Sequence, residues 1–313
     1  MRISVTVTVM ELRSLNMRRM RIWHSPFSSI CQKNPKELKS PKKNGILKKK
    51  VDGVVEMNRK YEISTKENRE FLKASCEDLL NFGHRFPSPN GGSYYLGDDG
   101  TPWKDRNRET WITCRMAHVY SLGLMLGHEG SGELVDAALK GLKGELHDEK
   151  NGGWYAGVTP EGDIVPNKQC YAHAFVILAA SSALIAGRSG AEELLEEALA
   201  VYDQYFWNEE EGLACDTWNT EFTVLDDYRG LNANMHTVEA FLAAGDVIGD
   251  KKYHIRAGRI IDHVIGWAED NNWRIPEHFT KEWVADLDCN RDVRMIRSSH
   301  MERHRAMESN GQD

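Results

Sequence analysis

The sequence is poor in the features that would place it in a membrane, in a disulfide framework or around a structural metal. Its longest apolar run, Val176 to Ala186, is too short to cross a bilayer and is broken by Ser181 and Ser182. Its six cysteines (Cys31, Cys76, Cys114, Cys170, Cys215, Cys289) stand singly, with no C-x-x-C pair and nothing like the density of a secreted scaffold. A reducing cytoplasm is the simplest setting for them. No ligand cluster falls at metal spacing, so neither a metal nor another cofactor is expected. A basic surplus is also missing from the main body. Residues 1–56 hold 13 Lys/Arg against 4 Asp/Glu, and a formal net charge of −7 leaves −16 for the rest. Phosphate needs a basic face, which argues against nucleic acid as a partner.

The first 56 residues read as foreign to the main body. Ile3 to Val9 alternates like a strand, but the remainder is basic and broken by Ser, Pro and Lys clusters ending in Lys48-Lys-Lys50. Such a stretch buries too little apolar surface to offset its ordering entropy, and it lacks the apolar core and cleavage site of a secretory signal. We expect a disordered extension over 1–56, with translation starting at Met57 as the simplest account and a basic tethering arm as the other.

From Ser64 the apolar period becomes helical. It predicts helices ending near Gly83, then over about Arg108–Gly127, Gly132–His147, Lys168–Gly187, Ala191–Trp207, a helix holding Asn232, and Lys251–Asn271. Between them lie loops rich in Gly, Trp and Asp. Helix pairs spaced at roughly 50–60 residues, with almost no strand-period segments, predict an all-α array of antiparallel hairpins.

One predicted helix carries chemistry. In Asn232-Ala-Asn-Met-His-Thr-Val-Glu-Ala-Phe241, the side chains of Asn232, His236 and Glu239 share a face, while Met235, Val238, Phe241 and Leu242 take the adjoining one. Such a helix either lines a wet pocket or buries a satisfied histidine.

Five motifs in register resemble the N-acylglucosamine 2-epimerase family. They are Trp111-x-x-x-Arg115-Met-x-His-Val-Tyr120, Gly152-Gly-Trp-Tyr-Ala156, Lys168-Gln-x-Tyr171-x-His173, Tyr228-Arg-Gly-x-Asn-Ala-Asn-Met-His236 through Phe241, and Glu277-His-Phe-x-x-x-Trp283. They cover about residues 65–292 and are most similar to bacterial aldose–ketose isomerases acting on mannose or sulfoquinovose. The resemblance implies an (α/α)6 barrel, of which this chain would hold about seven of twelve helices over 57–292. It implies a monosaccharide substrate and proton transfer between C1 and C2 of the open-chain sugar through a cis-enediolate, without metal or cofactor. Arg115 would hold the carbonyl oxygen as charge builds there. His236 would act beside it near O1 and O2, Asn232 would bind a hydroxyl, and Trp111 and Tyr171 would face the sugar ring. His118, His173 and His278 are implied as supporting groups, and Glu239 as orienting an arginine. A 2-epimerase needs the same groups and stays open. So do a non-catalytic sugar- or protein-binding remnant and a glycoside hydrolase drawing on Asp98, Asp99, Asp226, Asp227 and Glu239.

The resemblance departs from the family after Asn290-Arg-Asp292. Relatives place a general-base histidine in a T-P-G-H-x-x-E-W stretch, and the residues 293–313 contain none. Read with each codon starting at the third base of the preceding one, Met295 forces a leading G and Met301-Glu302 forces GGA. Permitted codons then turn Arg294–Asp313 into D-D-P-F-K-P-Y-G-A-T-P-G-H-G-I-E-W-A-R. A frameshift near Asp292–Arg294 is therefore expected, leaving the chain catalytically inactive and, with apolar flanks exposed on its first and seventh helices, poorly soluble. Resequencing the locus checks this: the expected result is a single-base lesion there, and an intact reading frame ending in these residues overturns it.

Overall fold

The computed structural model describes residues 65–287 and Cys289, so the segments 1–56 and 293–313 lie outside the described residues. The compact unit that carries the helical array starts at Arg69. Among the described residues seven helices form: α1 (Lys66–Gly83), α2 (Thr110–Leu126), α3 (Ser131–Leu142), α4 (Cys170–Ile185), α5 (Ala191–Tyr205), α6 (Leu231–Ile248) and α7 (Lys251–Asp270). Their order matches the apolar periodicity. The hairpins α2–α3, α4–α5 and α6–α7 turn tightly, and left-handed glycines close α2 and α6, Gly127 at φ 84° and Gly249 at φ 73°. Asp250 caps α7 by accepting the Lys252 N–H at 2.9 Å.

An inner row forms because α4 packs against α2 on one side and α6 on the other. The sequence dictates this placement: α4 is apolar all round, with every residue from Ala172 to Ala183 buried, and such a helix needs neighbours on all sides. The return helices α3, α5 and α7 are amphipathic and pack on their own hairpin partners. In α5, for instance, Leu194, Leu195, Ala198 and Tyr202 are buried while Glu192 and Glu193 sit in the first turn, where the helix dipole favours them. As expected of the flanks, Phe71, Leu79 and Phe82 on α1 and Ile255, Ile261 and Ile265 on α7 are exposed.

Among the described residues eleven strands of two or three residues stitch the long loops together, a feature too short to register as alternation. They are β1 (Tyr95–Leu96), β2 (Pro102–Trp103), β3 (Arg108–Glu109), β4 (Gly157–Val158), β5 (Ile164–Val165), β6 (Asn167–Gln169), β7 (Trp207–Asn208), β8 (Leu213–Ala214), β9 (Thr217–Asn219), β10 (Arg229–Gly230) and β11 (His278–Phe279). Two helix boundaries are corrected accordingly: Arg108 and Lys168 lie in lead-in strands before α2 and α4. The third helix also ends at Leu142 instead of running to His147, because the Leu142 carbonyl is taken by the Trp154 indole N–H at 2.7 Å.

The stitching repeats three times. Each inner helix is entered through a strand (β3, β6, β10) paired antiparallel with a strand of the following long loop, in the registers Arg108↔Val158, Lys168↔Trp218 and Arg229↔Phe279. That following loop also supplies a carbonyl for the first helical N–H: Ala156 O to Thr110, Asp216 O to Cys170 and Glu277 O to Leu231, at 3.0, 2.7 and 3.0 Å. Such N–H groups have no partner within their own helix. From inside each helix a polar side chain reaches back to the loop before it. Thr113 Oγ1 accepts from Ser93 N–H, His173 Nε2 from Trp154 N–H and Asn234 Oδ1 from Ala214 N–H, at 3.0, 3.1 and 2.9 Å. The close fit requires glycine at Gly153 (φ 69°), where a Cβ would stand 2.6 Å from His173 Nε2.

The lead-in strands each carry a buried cation, Arg108, Lys168 and Arg229, and the middle one is fully enclosed. Lys168 and Asp148 form an ion pair at 2.8 Å with both side chains 0% exposed, and Lys168 Nζ also donates to Gly152 O at 2.8 Å. Burial pushes the Asp148 carboxyl up, but hydrogen bonds from Lys168 and Asn151 outweigh it and hold the group well below the carboxylate range. Lys168→Met leaves that charge unpaired and is expected to lower stability by about 3–5 kcal/mol. Arg108→Met, which strips a partner from the solvent-reached Glu145, is expected to cost roughly 1 kcal/mol or less. Urea unfolding of the full chain ranks the two, and equal effects would contradict the account.

Two further anchors titrate in opposite senses. Burial drives the His173 imidazole from 6.5 to about 3, so folding loses stability as pH falls from 6.5. Burial pushes the Asp216 carboxyl, which accepts the Gly230 N–H at 2.7 Å, from 3.8 to about 7, so stability falls as pH rises from 3.8 to 7. Each contributes a slope of about 1.4 kcal/mol per pH unit, and the slopes cancel between these limits. His173→Asn keeps an acceptor, as Asn234 does in the next repeat, and is expected to leave stability falling with pH over that window. Asp216→Asn should leave it rising. Urea midpoints measured against pH test this, and two variants sloping the same way would refute it.

Candidate active site

The threefold stitching aligns the inner helices residue by residue. Three positions after the lead-in cations stand Trp111, Tyr171 and Asn232; seven after stand Arg115, Phe175 and His236. Within each helix these two positions lie four apart and share a face. Adjoining helices thus bring into contact side chains that are about sixty residues apart in the chain.

Arg115 lies at the centre of this contact. Its Nη2 donates to Tyr171 Oη at 3.1 Å, and its Cζ stands 5.1 Å from the Trp111 ring centroid and 4.7 Å from that of Phe175. It is solvent-exposed and, among the described residues, makes no ion pair, so it is not a surface helix salt bridge. Aromatic edges continue the contact across α4 to α6. Trp111 meets Tyr171 at 5.8 Å, Tyr171 meets His236 at 5.1 Å, and Phe175 meets His236 at 4.5 Å between ring centroids. Trp111, Tyr171 and His236 are half-buried, as befits a wall open on one side.

Asn232 stands one turn N-terminal of His236 on the same face of α6 and is exposed; no contact links it to the Arg115 group among the described residues. Met235, expected on an apolar face, is 51% exposed beside it, because α6 buries Ala233, Thr237, Ala240, Phe241 and Ala244 instead.

The carboxylate of this group is Glu239, which is bound to a histidine and not to the arginine expected from the sequence. Its Oε2 lies 3.0 Å from His236 Nδ1. That hydrogen bond, stronger than the opposing effect of burial and helped by the charges of His236, His118 and Arg115, lowers its pKa below the ordinary carboxylate value. Behind it, His118 Nδ1 lies 2.6 Å from Ser182 Oγ. The serine hydroxyl donates to Leu178 O at 2.9 Å, so His118 must carry its proton on Nδ1. Its Nε2 is buried without a partner among the described residues, and burial draws its imidazole down while Glu239 opposes.

The remaining motif histidines sit outside this contact. His173 anchors the 152–154 loop by Nε2 and donates from Nδ1 to Gln169 O at 2.8 Å, while His278 meets Tyr228 Oη at 2.7 Å. Phe175 escaped the sequence reading because an apolar residue in an apolar helix looks like core. Its spacing of sixty from Arg115 and sixty-one from His236 was the available signal. Of the carboxylates considered for hydrolysis, Asp98 and Asp99 lie in the β1–β2 turn, Asp226 and Asp227 before β10, and Glu239 is held by His236. Among the described residues no group of three or more His, Cys, Asp or Glu is gathered to hold a metal ion, and no helix is long and apolar enough to cross a membrane.

Comparison with known proteins gives a consistent set of relatives. D-mannose isomerase of Thermobifida fusca is 41% identical over 229 residues, covering 72% of this chain and 56% of that protein. D-mannose isomerase of Pseudomonas cannabina pv. alisalensis is 37% identical over 226 residues, covering 72% and 54%. The chain thus spans just over half the length of the curated relatives it matches. A crystal structure of D-mannose isomerase superposes with a TM-score of 0.68 at 26% identity, over 75% of this chain and 61% of that one. Cellobiose 2-epimerase from Bacillus thermoamylovorans shares the fold, with a TM-score of 0.63 at 20% identity over 70% of this chain and 62% of that one. The sequence profile of the N-acylglucosamine 2-epimerase (GlcNAc 2-epimerase) family matches residues 91–308, and the chain belongs to that family.

Proposed function

We propose that this chain carries the sugar-binding wall of a monosaccharide aldose–ketose isomerase of the D-mannose type, built on part of an (α/α)6 barrel. The observation that carries the reading is the Arg115–Tyr171–His236 contact across α2, α4 and α6. It sets a permanent cation, a phenol and an imidazole side by side on an aromatic wall. In the isomerisation a base takes the proton from C2 of the open-chain aldose and electrons flow to O1. The resulting cis-enediolate receives a proton at C1 and passes the O2 proton to O1, giving the ketose. Arg115 stabilises charge on O1, as a guanidinium can with several fixed donors. His236 exchanges protons at O1 and O2, a role suited to an imidazole, which has one nitrogen that can donate and one that can accept. Trp111 and Tyr171 offer ring faces to sugar C–H groups, the buried Phe175 backs Arg115 and His236, and Asn232 takes a more distant hydroxyl.

The base that works at C1 and C2 belongs to the T-P-G-H-x-x-E-W stretch absent from the sequence, so the 313-residue chain binds sugar and turns it over little. Calorimetric titration with D-mannose and D-fructose tests the wall. Arg115→Ala is expected to weaken binding by about 10- to 100-fold, the magnitude of a lost charge-assisted hydrogen bond. Unchanged affinity, or no sugar binding by the unaltered chain, refutes the reading. Restoring the frame after Asp292 should restore turnover. D-fructose as the product from D-mannose marks an isomerase, D-glucose marks a 2-epimerase, and turnover by the unrestored chain contradicts the assigned loss.

A further inference from the structure

We infer that Glu239 is a positioning residue for His236: it fixes the imidazole with its proton on Nδ1 and leaves the Nε2 lone pair turned to the open side of the Arg115 wall. This deepens the proposed reading of the sugar site and rests on it for the use made of Nε2.

Glu239 lies three residues after His236 on α6, so the two side chains stack on one helix face, and Oε2 is 3.0 Å from Nδ1. A carboxylate in the ionised state only accepts, so the shared proton sits on Nδ1 and Nε2 becomes the acceptor. Among the described residues no hydrogen bond is made to Nε2. The ring is held in its plane from two sides, by the edge of Tyr171 at an interplanar angle of 86° and by Phe175 at 4.5 Å. It can therefore neither flip freely nor trade Nδ1 for Nε2 without losing the carboxylate.

Glu239 is itself held in place electrostatically. Arg115 on α2 acts on its charge, and the His236 Nδ1–H binds it within α6. His118 is committed to Ser182 through Nδ1, so it presents only a lone pair and offers Glu239 no competing hydrogen. The carboxylate is left with His236 as its hydrogen-bond partner among the described residues. A residue that served only to fill space between α2 and α6 would not discriminate between the two ring nitrogens. This one does.

The test reads the tautomer directly. Long-range proton–nitrogen correlation spectra of the full chain, labelled at histidine and recorded above neutral pH, distinguish protonated from bare ring nitrogens. The His236 signals are assigned by their loss in His236→Gln. The expected result is a single Nδ1–H form in the unaltered protein, loss of that form to a mixture in Glu239→Leu, and its recovery in Glu239→Gln, whose amide oxygen still accepts. The His173 signals, from a ring that Glu239 does not act on, should stay unchanged and report that the fold survives. An Nε2–H form or a mixture in the unaltered chain overturns the inference even if the leucine variant fails to fold, as does a Glu239→Leu spectrum identical to the starting one. Addition of D-mannose separates this from the site reading. A fixed Nδ1–H form whose Nε2 signal ignores the sugar leaves the positioning intact and removes the sugar wall, whereas a signal that moves with sugar but reports a mixture does the reverse.

Discussion

The structure depends on how the first N–H groups of its inner helices are satisfied. A helix begins with donors that its own backbone cannot use, and in α2, α4 and α6 the first of them is taken by a carbonyl from the next long loop. Trp111, Tyr171 and Asn232, and one turn on Arg115, the buried Phe175 and His236, occur in the first two turns behind those capped ends. Their mutual distances are fixed by backbone hydrogen bonds made elsewhere. This is why an exposed arginine can hold a defined place between two aromatic rings without an ion pair to secure it.

Anchoring the loops needs polar groups inside the helices, and burying polar groups is unfavourable unless each is paired. The chain meets this requirement with a different side chain in each repeat: a threonine hydroxyl at Thr113, an imidazole at His173 and an amide at Asn234. Each is 0% exposed and each accepts a loop N–H. Only the imidazole can be protonated, so the middle repeat carries an acid-sensitive joint that its neighbours lack. The enclosed Lys168–Asp148 pair occurs in the same repeat and is sealed from solvent by the turn it organises.

Much of the helical framework was legible because helix-period burial is a strong local signal. Leu194, Leu195, Ala198 and Tyr202 mark α5 by their spacing alone, and Gly127 and Gly249 mark where hairpins turn. The strands were not legible, since two residues such as Arg229–Gly230 show no alternation and owe their conformation to a partner fifty positions away. Arg115, Tyr171 and His236 could be singled out by resemblance, and the structure brings them together. Phe175 could not, because nothing local separates a buried aromatic that backs Arg115 and His236 from one packed elsewhere in the core. The partner of Glu239 was misjudged for a related reason. Three residues along a helix brings His236 within reach, while the arginine competing for the carboxylate lies on another helix whose distance the sequence does not supply.

The caps also bear on synthesis. In all three repeats the capping carbonyl lies forty-six positions downstream of the N–H it satisfies, in residues that leave the ribosome only after an entire hairpin has emerged. Each wall segment is thus translated well before the atom that seats it, and the nascent chain closes its joints one hairpin behind the point of elongation.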